Sequence, residues 1–134
     1  MIFVDAAAIV AVLGAEAESE RCGAAIDAAV EPFTSAVAVW EAIIALGRAD
    51  KFGSFQFAEA AVHRFIDQRG IQLRQLPPPE HAVALSTEAA RKYRAGYSRL
   101  NLADCFHYAC AKHYGASVLS TADEFRFTDL DVVA

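Results

Sequence analysis

Met1-Ile2-Phe3-Val4-Asp5-Ala6-Ala7-Ala8-Ile9 opens the chain with a short apolar run, a single acid and a second apolar run. Residues 1–4 predict a buried strand and residues 6–13 predict a helix. An acid placed where a buried strand hands over to a helix is the βα junction of a parallel sheet. In such folds functional side chains gather beyond the carboxyl ends of the strands. Asp5 is the only charge in residues 1–15, so it stands out against its surroundings.

The rest of the chain continues the alternation. A helical period covers residues 16–30, and Pro32 then breaks the chain. Residues 33–34 predict a brief strand entering a long, almost wholly apolar helix over residues 36–50, with Ser35 near its cap. A second helix is expected over residues 55–68 and a strand over residues 71–76. Three prolines, 77–79, make a stiff corner before a helix over residues 80–93. The basic segment 91–99 contains Gly96 and is expected to form a loop. Asn101 is a good cap for a helix over residues 102–114, which Gly115 ends. Strands are expected at 117–120 and, at the end of the chain, at 131–133. The class is therefore α/β with a mainly parallel sheet, in one domain over residues 1–134.

Composition narrows the function. The chain has 134 residues, 55% of them hydrophobic and 22% charged, so a folded core is expected. No apolar run is long enough for a membrane span, and no basic segment precedes an apolar one as in a leader. Cys22, Cys105 and Cys110 sit in apolar helical surroundings without C-x-x-C spacing, which favours reduced core thiols and a cytoplasmic location over a zinc site. A net charge of −5 counts against binding nucleic acid by charge alone. It does not count against binding through metal ions that carboxylates hold.

Further acids share the anomaly of Asp5. Glu41 is the only charge in residues 32–47, and Asp104 the only one in residues 100–111. Burying an unpaired carboxylate costs several kcal/mol or forces its pKa upward. Convergence on a shared divalent cation compensates all of them together. Asp123 joins the set because it closely follows the strand at 117–120. Each has a plain alternative: Asp5 and Asp104 as helix-start acids, Asp123 in an ordinary polar turn, Glu41 as a structural mid-helix charge. Clustered carboxylates that hold Mg2+ or Mn2+ suit phosphodiester hydrolysis by an activated water, with no side-chain nucleophile.

These stretches resemble PIN-domain nucleases, particularly the VapC-like toxins of bacterial type II toxin–antitoxin pairs. Residues Ile2–Ile9 resemble the family's first strand with its leading aspartate. Thr34-Ser35-Ala36 with Trp40-Glu41-Ala42 resembles its second acidic position. Leu100-Asn101-Leu102-Ala103-Asp104-Cys105-Phe106 resembles its L-N-x-x-D-C helix start. Leu119-Ser120-Thr121-Ala122-Asp123-Glu124-Phe125 resembles its final acidic turn. The resemblance implies a PIN-like α/β/α sandwich, dependence on Mg2+ or Mn2+, and cleavage of RNA, with tRNA or rRNA the expected target. It also implies homodimerisation and inhibition by a small antitoxin protein. Asp5, Glu41, Asp104 and Asp123 become the acidic quartet, with Asp5 and Asp104 bearing most of the metal binding. The pattern departs from the family at Ala7, where many relatives have Ser, and at Thr121-Ala122, which leaves open whether Asp123 or Glu124 faces the site.

Lesser candidates surround the quartet. His107 lies one helical turn after Asp104, where it contacts a phosphate, donates a proton or simply packs. Ser35 and Asn101 are caps that could also serve a ligand. Arg91, Lys92, Arg94 and Arg99, with Tyr93 and Tyr97 among them, form the one basic and aromatic cluster. They could contact phosphates and stack on bases, or form a solvated loop. A second function is a catalytically inactive PIN-like module that acts by protein binding. A third, an aspartyl phosphatase, needs Asp-x-Asp after the first strand, and Ala7 occupies the second of those positions.

Overall fold

The computed structural model describes residues 1–96 and 98–133. Five parallel strands form one sheet in the order β3-β2-β1-β4-β5: β1 (Ile2–Val4), β2 (Pro32–Ser35), β3 (Gln72–Arg74), β4 (Ser117–Leu119) and β5 (Val132–Val133). All four strand pairings are parallel, with Phe3 opposite Phe33 on one side and Val118 on the other. The helices are α1 (Ala6–Leu13), α2 (Ser19–Ala28), α3 (Ala36–Leu46), α4 (Phe55–Arg69), α5 (Pro79–Tyr93) and α6 (Leu102–Tyr114), with a 3-10 turn over Asp123–Phe127. Among the described residues no helix is long and apolar enough to cross a membrane.

Strand pleating sorts the core into two layers. Val4 and Leu119 face one way and pack with Ile9, Ile26, Val39, Leu46, Val62 and Phe65. Phe3, Phe33 and Val118 face the other way and pack with Leu100, Cys105, Tyr108 and Phe125. The result is the expected α/β/α sandwich. Cys22, Cys105 and Cys110 are all buried and free.

Local chemistry sets the helix starts. Asp5, Ser35, Ser54 and Asn101 each cap a helix through a side-chain oxygen. Pro79 takes a first-turn position in α5, where its missing N–H costs nothing.

Four expected boundaries move. The helix expected from residue 16 begins at Ser19, because Ala15 adopts a left-handed φ of 52° and closes a turn. Pro32 does not break the chain but opens β2, a strand position that needs no donated hydrogen bond. The helix expected to reach residue 50 stops at Leu46, where the Phe52 N–H folds back onto the Leu46 carbonyl. The Phe55 ring occupies the place that any side chain at Gly47 would need. Finally, Arg91, Lys92 and Tyr93 are not in a loop but form the last turn of α5.

The strand order reverses at β1, whose neighbours β2 and β4 lead the chain to opposite sides of the sheet. A crevice at such a switch point is where open α/β sheets bind ligands. Asp5 and Ser120 stand at this edge, just beyond Val4 and Leu119, which are paired in register.

Candidate metal centre

Asp5 is 3% exposed at the end of β1. Its Oδ1 accepts from the Ala6 N–H at 2.8 Å and its Oδ2 from the Ser120 hydroxyl at 2.7 Å. Burial raises its pKa, and the nearby His107 opposes the rise. Glu41 projects from mid-α3, and its side chain is 34% exposed. Asp104 sits in the first turn of α6 in a reciprocal capping box: its backbone N–H donates to Asn101 Oδ1 at 2.8 Å, and its Oδ2 accepts from the Asn101 N–H at 3.0 Å. Burial pushes the Asp104 carboxyl up to about 6, with the charges of Asp5 and Glu41 adding to the rise.

Asp5, Glu41, Asn101 and Asp104 line one cavity of about 320 Å³, together with Ala7, Glu16 and Glu124. The capping and cavity-lining roles foreseen as alternatives for Asp104 and Asn101 therefore coexist. Behind the cavity, His107 Nε2 lies 2.8 Å from Glu41 Oε1 and 3.4 Å from Asp5 Oδ1, with the imidazole fully buried. Burial disfavours the charged imidazole, but the Glu41 hydrogen bond and the Asp5 charge outweigh it, so its pKa is raised. Asp5, Glu41 and His107 each offer a ligand atom, all within 4.8 Å of one another.

The structure does not bring Asp123 into this group. Its side chain is 85% exposed and lies 3.5 Å from Arg126 within the 3-10 turn. The turn follows a Ser120 hydroxyl that accepts from the Ala122 N–H, and it carries Glu124 to the cavity instead. Glu124 Oε2 is buried there without a hydrogen-bond partner. An orphaned carboxylate oxygen in a cavity lined by four other acids fits a hard cation, whose preferred ligands are oxygens.

The remaining candidates are placed as follows. Ser35 is buried and caps α3 through the Ala38 N–H, away from the cavity lining. Lys92 pairs with Glu88 at 2.6 Å. Arg94 and Arg99 donate to the carbonyls of Leu100 and Gly96. None of these three, nor Arg91, lines the acidic cavity. Tyr93 packs on the Tyr108 ring, with centroids 5.6 Å apart. Tyr97 lies outside the described residues.

Ser120 and Glu16 escaped the sequence reading. The parallel register that sets Val4 opposite Leu119 would have put Ser120 beside Asp5. Nothing in the local pattern marks Glu16.

A sequence model of the PIN domain matches residues 2–132. The chain belongs to the PIN-domain family. A VapC ribonuclease of Rhizobium meliloti (strain 1021) is 31% identical to this PIN domain over 143 residues, covering 97% of this chain and 99% of the relative. The ribonuclease VapC42 of Mycobacterium tuberculosis is 30% identical over 132 residues, 96% of either chain. Among solved structures, the sarcin–ricin-loop-cleaving toxin VapC20 of Mycobacterium tuberculosis superposes with a TM-score of 0.76. The identity is 15%, over 97% of this PIN domain and 96% of the toxin. A toxin–antitoxin complex from Klebsiella pneumoniae gives a TM-score of 0.69 at 15% identity, over 100% and 97% of the respective chains. At those identities the structural likeness speaks for the fold.

Proposed function

We propose that this PIN domain is the toxin of a toxin–antitoxin pair: a cytoplasmic, single-domain endoribonuclease that depends on Mg2+ or Mn2+. The observation that carries this reading is the cavity at the switch point, which gathers Asp5, Glu41, Asp104 and Glu124 from four separate parts of the chain. Relatives named as ribonucleases, similar over almost their whole length, supply the reaction class.

Asp5, Glu41 and Asp104 are the residues proposed to hold the metal, with Glu124 rather than Asp123 as the fourth carboxylate. When bound, a divalent ion supplies Lewis acidity for water activation and neutralises phosphate charge. The chain's own residues do the positioning. Ala6 N–H and the Ser120 hydroxyl fix the Asp5 carboxylate, and the capping box fixes Asp104. Without a cation this group of acids would repel an RNA backbone.

The RNA substrate, tRNA or rRNA, is proposed to approach past α5 and the segment that follows it, where Arg91, Arg94 and Arg99 are exposed. A small antitoxin and a second copy of the chain are the proposed protein partners. An apolar groove of Val37, Trp40, Leu102 and Phe106 begins at Glu41, with Trp40 65% and Leu102 72% exposed. Exposed aromatic and aliphatic surface of this kind suits a protein interface. The inactive-module reading rests on Ala7, which lines the cavity without a hydroxyl.

Purified protein incubated with total cellular RNA distinguishes the two. The nuclease yields discrete fragments with Mg2+ or Mn2+, and none with EDTA or in Asp5→Asn. Intact RNA in the presence of metal and well-folded, antitoxin-free protein would favour the inactive module.

A further inference from the structure

Among the described residues, His107 is the basic group that contacts both Asp5 and Glu41. It comes from a third element: Asp5 ends β1, Glu41 lies in α3 and His107 in α6. Its imidazole is fully buried, and the Phe3 ring 5.5 Å away, tilted at 35°, packs beside it. Neighbouring ligands of an octahedral ion with bonds of about 2.1 Å lie about 3 Å apart. The Nε2 distances of 2.8 Å to Glu41 Oε1 and 3.4 Å to Asp5 Oδ1 bracket that spacing. The Nδ1 atom is buried without a hydrogen-bond partner. The ring is therefore held by its Nε2 contacts with Glu41 and Asp5 and by packing against Phe3.

We propose that His107 Nε2 is a direct ligand of the divalent cation, completing with Asp5 and Glu41 a mixed nitrogen–oxygen triad. The proposal rests on the metal-dependent reading of the cavity given above. It has a chemical consequence. Mg2+ favours oxygen ligands and keeps its waters, whereas imidazole suits the later transition ions. The triad therefore selects Mn2+ or Co2+ over Mg2+, relative to a site built from carboxylates alone.

Mn2+ is the probe. Pulsed EPR of the Mn2+-loaded wild-type protein should show strong modulation from a directly bound histidine nitrogen. That modulation should change when the histidines are isotopically labelled, and it should vanish in His107→Gln. The glutamine keeps an amide donor within reach of Glu41 but offers no imidazole. Competition should show the preference for Mn2+ over Mg2+ falling by roughly tenfold or more in the variant. Stoichiometric Mn2+ without histidine-nitrogen modulation would overturn the ligand assignment and leave His107 as a hydrogen-bond donor to Glu41. Absence of any Mn2+ binding would defeat both this proposal and the metal-dependent reading beneath it. Should His107→Gln fail to fold, the labelled wild-type spectrum decides the matter alone.

Discussion

Replacing Asp104 by Asn should stabilise the metal-free protein while removing its activity. Burial holds the folded-state carboxyl at about 6, against 3.8 for an ordinary aspartate. The folded protein thus binds a proton that the unfolded chain has already released between those two values. This contribution to stability is fully present below the unfolded pKa and is lost as pH rises through about 6. The difference corresponds to roughly 3 kcal/mol, or about 1–2 kcal/mol once allowance is made for the solvent that reaches the cavity. Asn keeps an oxygen that can accept from the Asn101 N–H, so the helix cap should survive. Thermal unfolding followed by circular dichroism in EDTA, near pH 7.5, should show the variant melting about 3–8 °C above wild type. The gain should be clearly smaller at pH 4.5, where the wild-type carboxyl is protonated in the folded state, and approach zero only below the unfolded value of 3.8. Adding Mn2+ should reverse the order by stabilising wild type more. A variant melting at or below wild type at both pH values would refute the argument that burial of this charge strains the apo protein.

Three other outcomes follow from the same geometry. Glu124→Gln should weaken Mn2+ binding by about tenfold or more in calorimetric titration, while Asp123→Asn should leave it unchanged; the reverse pattern would return Asp123 to the site. Trp40→Glu or Leu102→Glu should abolish co-purification with the proposed antitoxin without lowering the melting temperature, since both side chains are exposed; retained complex would move the interface elsewhere. Neutralising Arg91, Arg94 and Arg99 together should weaken RNA binding and flatten its salt dependence by about two to three counterions; filter binding that matches wild type at every salt concentration would exclude this face as the RNA path.

The parallel sheet and its sandwich were legible because β1 is a continuous apolar run and because Asp5 and Ser35 cap the helices that β1 and β2 hand over to. Asp5, Glu41 and Asp104 were legible for a related reason: a lone acid in an apolar segment is costly wherever the segment is buried. What the sequence hid depends on contacts between distant segments. Ser120 matters because parallel pairing sets it beside Asp5, a fact of register. His107 had a helical spacing from Asp104 but no sign that Glu41, 66 residues away, would meet its Nε2. Asp123 and Glu124 are adjacent, and only the 3-10 turn decides which one faces the cavity. The end of α3 at Leu46 was readable in part from Gly47, its C-cap, but the Phe55 ring packed against that glycine was not.

RNA cleavage by metal held on the carboxylates around Asp5 is the activity proposed. It is tested most directly by mapping new RNA 5′ ends across the transcriptome after inducing the toxin without its antitoxin, beside Asp5→Asn expressed at the same level. A small set of strong new ends is expected, in tRNA or rRNA, together with arrested growth, both absent from the variant. Identical RNA ends in the two strains, with wild-type protein confirmed folded and free of antitoxin, would contradict it.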